Sequence, residues 1–201
     1  MTRYIQMKTL AHYVTVTLFV LACLPMAKAG NEALPNFVFI LADDLGRAGS
    51  GLRLGWSIGY IDADYKEFIG PTGEDVSDER VFQNTPDWTA SGILTYDTPV
   101  NLFNTPGTFS VITSLSYRGE TSQFETPTVE LDQKSYTLWD LSLIWADDSG
   151  HWNAGIHGKN LTDEEYKVAG YYFPGLGLEN NVTAFYGNPR QIWATVQYNW
   201  F

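Results

Sequence analysis

The chain has 201 residues and a formal net charge of −11, and 44% of its residues are hydrophobic, 15% aromatic and 17% charged. This length fits one ordinary domain, and the low charge with many aromatic residues excludes a disordered chain. The acidic balance excludes nucleic acid as a partner, because a nucleic-acid binder needs a positive surface to displace counterions. Cys23 is the single cysteine, so no internal disulfide and no cysteine-based metal site can form.

Residues 1–29 have the three parts of a secretory signal peptide. Arg3 and Lys8 form a basic start, an apolar stretch covers 14–22, and 27–29 is an Ala-Lys-Ala cleavage site. The apolar stretch is shorter than the roughly 20 residues that a membrane-spanning helix needs. We therefore expect cleavage after this tripeptide and export of the mature chain, with a retained anchor helix as the alternative.

Residues 34–46 read Leu-Pro-Asn-Phe-Val-Phe-Ile-Leu-Ala-Asp-Asp-Leu-Gly and resemble the opening strand of the sulfatase family. The resemblance implies Asp43 and Asp44 as calcium ligands, and carboxylate oxygens suit a hard cation. A sulfatase also needs a Cys or Ser followed by x-Pro-x-Arg, whereas Cys23 lacks the arginine and lies in the leader. Two acids alone hold a divalent ion weakly. We therefore expect no catalytic residue, no metal and no cofactor, and we interpret 30–51 as a sulfatase-like lead-in segment, either a short buried strand or a disordered run.

From Leu52 onward, apolar and polar residues alternate with period two, which indicates strands with unlike faces. The pattern predicts an all-β fold, an antiparallel up-and-down meander of about six long strands that forms a partial transmembrane β-barrel. These strands are expected near 52–60, 87–97, 109–118, 139–145, 152–159 and 191–200.

Three features favour a membrane sheet over a soluble one. The strands are about ten residues long, aromatic residues lie near the strand ends as in interfacial girdles, and long and short connections alternate. Long loops are predicted at 66–85, 119–135 and 161–190, with a tight turn at 146–150. The residues that we expect to contact lipid are Trp56, Ile58, Leu94, Leu115, Trp139, Leu141, Leu143, Trp145, Ile156, Val196 and Trp200.

Four motifs within 53–201 resemble the C-terminal strands of TonB-dependent outer-membrane receptors. They are Gly-Tyr-Ile-Asp-Ala-Asp-Tyr-Lys at 59–66, Asn-Thr-Pro-Asp-Trp-Thr-Ala at 84–90, Gly-Lys-Asn-Leu-Thr-Asp-Glu-Glu-Tyr at 158–166 and Tyr-Gly-Asn-Pro-Arg at 186–190. The resemblance implies the last part of a large barrel in a Gram-negative outer membrane, which imports siderophores, vitamins or sugars with energy passed through TonB. It implies transport of a small-molecule ligand and no covalent chemistry.

Two departures from the family affect this interpretation. The plug and the TonB box have no counterpart here, and six strands would leave two open edges whose bare amides and carbonyls are costly in lipid. We therefore expect pairing with other barrel strands or further copies of the chain, or a receptor fragment fused to a sulfatase-like start. The expected surroundings are outer-membrane lipid and lipopolysaccharide. A final aromatic residue in the lipid-facing register usually helps the barrel assembly machinery recognise the last strand. Trp200 keeps that register and Phe201 does not, and we expect recognition by this machinery.

The remaining polar residues have structural interpretations. His151 and His157 lie about 20 Å apart on one strand face, too far apart to share a metal. Arg118, His157 and Lys159 are expected to face a polar lumen. The acidic loops at 74–80 and 163–165 are expected to be solvated, and the aromatic loop residues at 170–174 could stack on a solute or on one another. A secreted sulfatase-related fragment and a soluble periplasmic β-barrel remain the alternatives.

Overall fold

The computed structural model describes residues 36–42, 51–173 and 181–200. The predicted signal peptide at 1–29, the two aspartates Asp43 and Asp44, and Phe201 lie outside the described residues. Among the described residues, no helix is long and apolar enough to cross a membrane.

The described residues form nine strands and one short 3-10 helix. In chain order the strands are β1 (Asn36–Ala42), β2 (Gly51–Asp62), β3 (Trp88–Leu102), β4 (Thr105–Arg118), β5 (Tyr136–Asp147), β6 (Trp152–Lys159), β7 (Lys167–Phe173), β8 (Asn181–Tyr186) and β9 (Gln191–Tyr198), with the 3-10 helix at Ser77–Glu79. The predicted all-β antiparallel fold is confirmed.

Seven strands form one open antiparallel sheet in the order β1-β2-β3-β4-β5-β6-β9, and β7 and β8 form a separate hairpin. Neighbours in the sheet are antiparallel throughout, so the chain runs up and down across it. Within the described residues the sheet does not close, because its edges, β1 and β9, do not pair with each other. This arrangement is a section of a barrel wall.

The strand count differs from the predicted six for two reasons. Asn36–Ala42 pairs with β2, with Asn36 opposite Asp62, and so adds a strand at the edge of the sheet. The predicted loop at 161–190 contains the β7–β8 hairpin. The β3–β4 hairpin also extends past the predicted strand ends. The sequence predicts shorter strands because Pro99 and Pro106 interrupt the pattern that signals a strand.

Short and long connections lie at opposite ends of the sheet. β3 and β4 are joined by Phe103 and Asn104, whose φ angles of 51° and 61° suit the tight turn of a hairpin. A second short turn, 148–151, joins β5 to β6, whereas the connections after β2, β4 and β6 are long. Because β9 runs toward the short turns, its last residue, Tyr198, lies on their side. The predicted alternation of loop lengths is therefore present.

The buried core lies among the long loops. A single-layer sheet exposes both faces, as Leu52 (58% exposed) and Val196 (72%) show on one face and Ile93 (48%) on the other. Leu131, between β4 and β5, is the one fully buried large side chain of the described residues. Any side chain at Gly170 of β7 would collide with Leu131, so the β7–β8 hairpin packs on the 119–135 loop.

Candidate functional site

One face of the sheet is largely apolar, and the strand register aligns it across the strands. Leu143 of β5 lies opposite Val111 of β4 and Ile156 of β6, and Ile156 in turn lies opposite Ala194 of β9. The residues predicted to contact lipid that this register places on the same face are Trp56, Ile58, Leu94, Leu115, Trp139, Leu141, Leu143, Trp145, Ile156 and Val196.

Trp200 follows the last strand, and its ring packs edge-on against Tyr198, with the ring centroids 4.8 Å apart. Lipid contact stays a prediction for Trp200 and for the ten residues of the apolar face named above.

The opposite face carries most of the polar side chains of the sheet. Arg53 forms an ion pair of 2.6 Å with Asp97, which also accepts a hydrogen bond of 2.6 Å from Ser110. His157 is hydrogen-bonded at 3.0 Å to both Ser142 and Thr195. Isoleucines also lie on this face, including Ile93, which is 48% exposed, so the face is mixed rather than wholly polar.

The predicted lumen residues do lie on this mixed face, but they do not come together. Arg118 ends β4, where its guanidinium donates a 2.9 Å hydrogen bond to the carbonyl of Asn84 in the loop above. His157 lies along β6 and its ring stacks on Trp193 at 5.2 Å. His151 belongs to the β5–β6 turn, and the described residues contain no cluster of three or more metal-ligating side chains.

The loop between β2 and β3 is ordered by its own hydrogen bonds. Asp75 accepts the backbone N–H groups of Phe68 and Ser77, both at 3.0 Å. These two bonds, that of Phe68 foremost, hold the pKa of the Asp75 carboxyl below its ordinary value. The turn that results places the guanidinium of Arg80 5.3 Å from the ring centroid of Phe68. A surface carboxylate therefore sets the shape of this loop.

We expect the order of this loop to depend on pH. Because the folded state lowers the pKa of Asp75, its stabilisation is present above the ordinary carboxyl pKa and is lost as the pH falls through the folded value. Hydrogen exchange of the Phe68 and Ser77 amides, corrected for intrinsic rates, should show protection that fades on acidification. Asp75→Asn should weaken the protection of these amides at all pH values, and Asp78→Asn should leave that protection intact. The same pH profile in wild type and Asp75→Asn would contradict this account.

Two of the long loops are joined by backbone hydrogen bonds. The N–H of Val81 donates to the carbonyl of Glu125, and that of Asn84 to the carbonyl of Ser122, each at 2.9 Å. Within the second loop, Thr121 and Gln133 exchange backbone bonds of 2.9 and 2.8 Å. These bonds fix the spacing between the loops.

A cleft of about 390 Å³, here called the loop cleft, opens between these two loops. It is lined by Ile61, Ala63, Asp64, Arg80, Val81, Phe82, Thr85, Asp87, Glu120, Thr121, Ser122, Val129, Asp132, Gln133 and Lys134. Carboxylates outnumber cations in this lining, and the Nε of Arg80 is buried with no hydrogen-bond partner. Its size and its mixture of charged and apolar walls are typical of a small-molecule site.

The 158–166 and 186–190 motifs form one structural unit at the exit of β6. Asn160 is 5% exposed and has a φ of 48°. Its side-chain amide donates to the carbonyls of Glu164 (2.8 Å) and Asn188 (3.1 Å), and its oxygen accepts the Glu164 N–H at 2.9 Å. Asp163 accepts the backbone N–H of Arg190 at 2.9 Å. The two motifs are far apart in the chain and bind one another.

Tyr166 completes this unit. Its ring stacks on Tyr136 with centroids 4.6 Å apart, and its carbonyl accepts the Gly187 N–H at 2.8 Å. A side chain at Gly187 would collide with the Tyr166 ring, which explains a glycine there. Two of the four motifs that carried the sequence resemblance therefore hold the β6–β9 connection to the start of β5.

An open antiparallel sheet of long strands, with one apolar face, short turns at one end and packed loops at the other, defines a β-barrel wall protein. The family described as "TonB dependent receptor-like, beta-barrel" matches residues 38–161, which is more than half of the chain. The chain belongs to the TonB-dependent receptor family, whose barrels lie in the outer membrane. No curated protein and no solved structure matches the chain.

The match revises the sequence interpretation at one end. It begins at residue 38, inside the stretch that resembles a sulfatase, and β1 pairs with the first long strand of the barrel sheet. The sulfatase resemblance is not supported. Strand β1 is explained instead as part of the barrel wall.

The residues that line the loop cleft were missed by the sequence analysis. Arg80, Lys134 and Gln133 lie in loops, where the period-two alternation that identified the strands carries no information. The signals were indirect: Asp64 and Asp87 belong to the motifs at 59–66 and 84–90, and the acidic segment 74–80 was interpreted as a solvated face. Contacts between loops distant in sequence bring these side chains together.

Proposed function

We propose that this chain forms part of the wall and the external loops of an outer-membrane receptor that takes up a small solute. The apolar face contacts acyl chains, the opposite face lines a water-filled lumen, and the loop cleft contacts the solute at the outer end. The proposal rests above all on the register, which aligns the predicted lipid-facing residues of the strands on one face. A soluble single-layer sheet would leave that face in water.

The family and the cleft both support a class of solute. The family resemblance suggests a siderophore, a vitamin or a sugar, and a cleft lined by both signs of charge fits a polar solute. The chain carries out binding and passage, without covalent chemistry. Other barrel strands, supplied by a longer receptor or by further copies, would cover the edges at β1 and β9, and the assembly machinery would insert the sheet.

Tryptophan quenching tests the orientation of the sheet. Trp56 lies on the apolar face and Trp193 on the opposite face. In vesicles with brominated acyl chains, we expect the full chain to be quenched strongly. Trp56→Phe should lower the quenched fraction of the remaining fluorescence, and Trp193→Phe should raise it.

The same sample supplies the control and the contrary outcome. A closed barrel migrates anomalously on a detergent gel until it is boiled. Such heat-modifiable migration of the vesicle-bound protein shows that the strands are folded into a closed barrel, alone or with partner strands. Equal quenching changes in the two variants would overturn the assigned faces. A monomeric, freely dissolved mature chain would overturn the receptor proposal itself.

A further inference from the structure

We propose that a small pocket beside the loop cleft is a subsite for an oxyanion, such as a phosphate or carboxylate group of the transported solute. This inference rests on the proposed function and names the chemistry of one part of the solute. The pocket, here called the cationic pocket, has a volume of about 90 Å³. It is lined by Asn84, Arg118, Thr121, Gln123, Gln133, Tyr136, Lys167 and Val168.

The charge of the cationic pocket differs from that of its surroundings. Its lining contains two cations, Arg118 and Lys167, and no carboxylate, in a chain whose net charge is −11. Among the described residues, ion pairs join Arg53 to Asp97 and Arg190 to Asp163, and neither pocket cation takes part in one. Two cations that line one pocket without a paired carboxylate repel each other, and a bound anion relieves that repulsion.

Neutral groups hold both cations in place. Arg118 donates to the carbonyl of Asn84, and the Lys167 ammonium donates to the carbonyl of Asp132, each at 2.9 Å. Because a guanidinium has five N–H donors and an ammonium has three, each retains donors for a ligand. Backbone carbonyls position the charges without cancelling them, as a preformed anion site requires.

The cationic pocket shares a buried, hydrogen-bonded wall with the loop cleft. Thr121 and Gln133 line both cavities and are 7% and 8% exposed. The side-chain oxygen of Gln133 accepts the backbone N–H of Lys167 at 2.6 Å, and its side-chain amide donates to the backbone carbonyl of Lys134 at 2.8 Å. A solute in the loop cleft therefore has its anionic group within reach of a prebuilt neighbouring site. A volume near three times that of a water molecule admits one oxyanion group and little more.

The placement of the pocket distinguishes two sources of such a group. Arg118 and Tyr136 are paired across β4 and β5 and lie on the face opposite the lipid-facing residues. Lipopolysaccharide phosphates lie outside a barrel wall, so the group belongs to a solute on the lumen side.

Gln123→Glu is the sharpest test. Gln123 lines the pocket, and none of the hydrogen bonds among the described residues uses its side chain, so the substitution adds a negative charge without removing a hydrogen bond. Gln83→Glu is the matched control, since Gln83 lies in the neighbouring loop and lines neither cavity. With the full chain folded in vesicles, binding of inorganic phosphate is measured by equilibrium dialysis. We expect Gln123→Glu to weaken it by about tenfold or more and Gln83→Glu to change it by less than about twofold.

Three outcomes would overturn the subsite: no phosphate binding by the wild type, equal loss in both variants, or competition by lipopolysaccharide in the vesicles, which would place the site on the lipid side. Each variant is first checked by heat-modifiable migration. Tryptophan quenching reports the membrane orientation independently, so failure of the anion subsite can be told apart from failure of the receptor proposal.

Discussion

Leu143→Arg is expected to lower the free energy of unfolding in a bilayer by about 2–4 kcal/mol, the cost of an arginine on the lipid face near the midplane of a barrel. Leu143 lies in the middle of the apolar face, opposite Val111 on one side and Ile156 on the other. The guanidinium there would have no carboxylate neighbour across the strands. Urea titration of vesicle-bound protein, followed by tryptophan fluorescence, measures the change.

The matched control moves the same substitution to the other face. Ser114 of β4 lies opposite Asp140 of β5 and uses its side chain in none of the hydrogen bonds among the described residues. Ser114→Arg should therefore cost less than about 1 kcal/mol, because the new charge lies in water beside a carboxylate. If both variants lose the same stability, the two faces share one environment and the proposed membrane orientation is wrong.

Asn160→Ala is expected to destabilise the folded chain by about 2–4 kcal/mol, since it removes three part-buried hydrogen bonds made by a buried side chain. Asparagine also tolerates the left-handed φ of 48° better than alanine does. The effect should be concentrated in the β6–β9 connection. Hydrogen exchange should show early loss of protection at the Glu164 amide.

Two further variants test the cause of this effect. Thr162→Ala, in the same turn, should cost less than about 0.5 kcal/mol because Thr162 is exposed. Asn160→Asp keeps the acceptor for Glu164 but loses both donated bonds, so its stability should lie between those of wild type and Asn160→Ala. An Asn160→Asp variant as stable as wild type would show that the bonds to the Glu164 and Asn188 carbonyls contribute little.

The loop end of the sheet depends on contacts that no local pattern reveals. The Asn160 motif was recognisable in the sequence, but its partner, the segment around Asn188, is 28 residues away. The joining of the two long loops through Val81 and Glu125 is likewise a long-range contact. Both cavities are products of such contacts.

The sequence by itself determined the strand faces, the antiparallel all-β fold and the family. Alternation is a local consequence of the pleat, so each predicted strand carried its own evidence, and Trp139, Leu141 and Leu143 needed no neighbour to be assigned to one face. Tertiary structure alone decided that β1 joins the sheet, that β7 and β8 form a hairpin, and that Arg118 and Lys167 line one pocket. Those features arise from hydrogen bonding and packing between segments distant in the chain, and their energies depend on geometry that residue order does not contain.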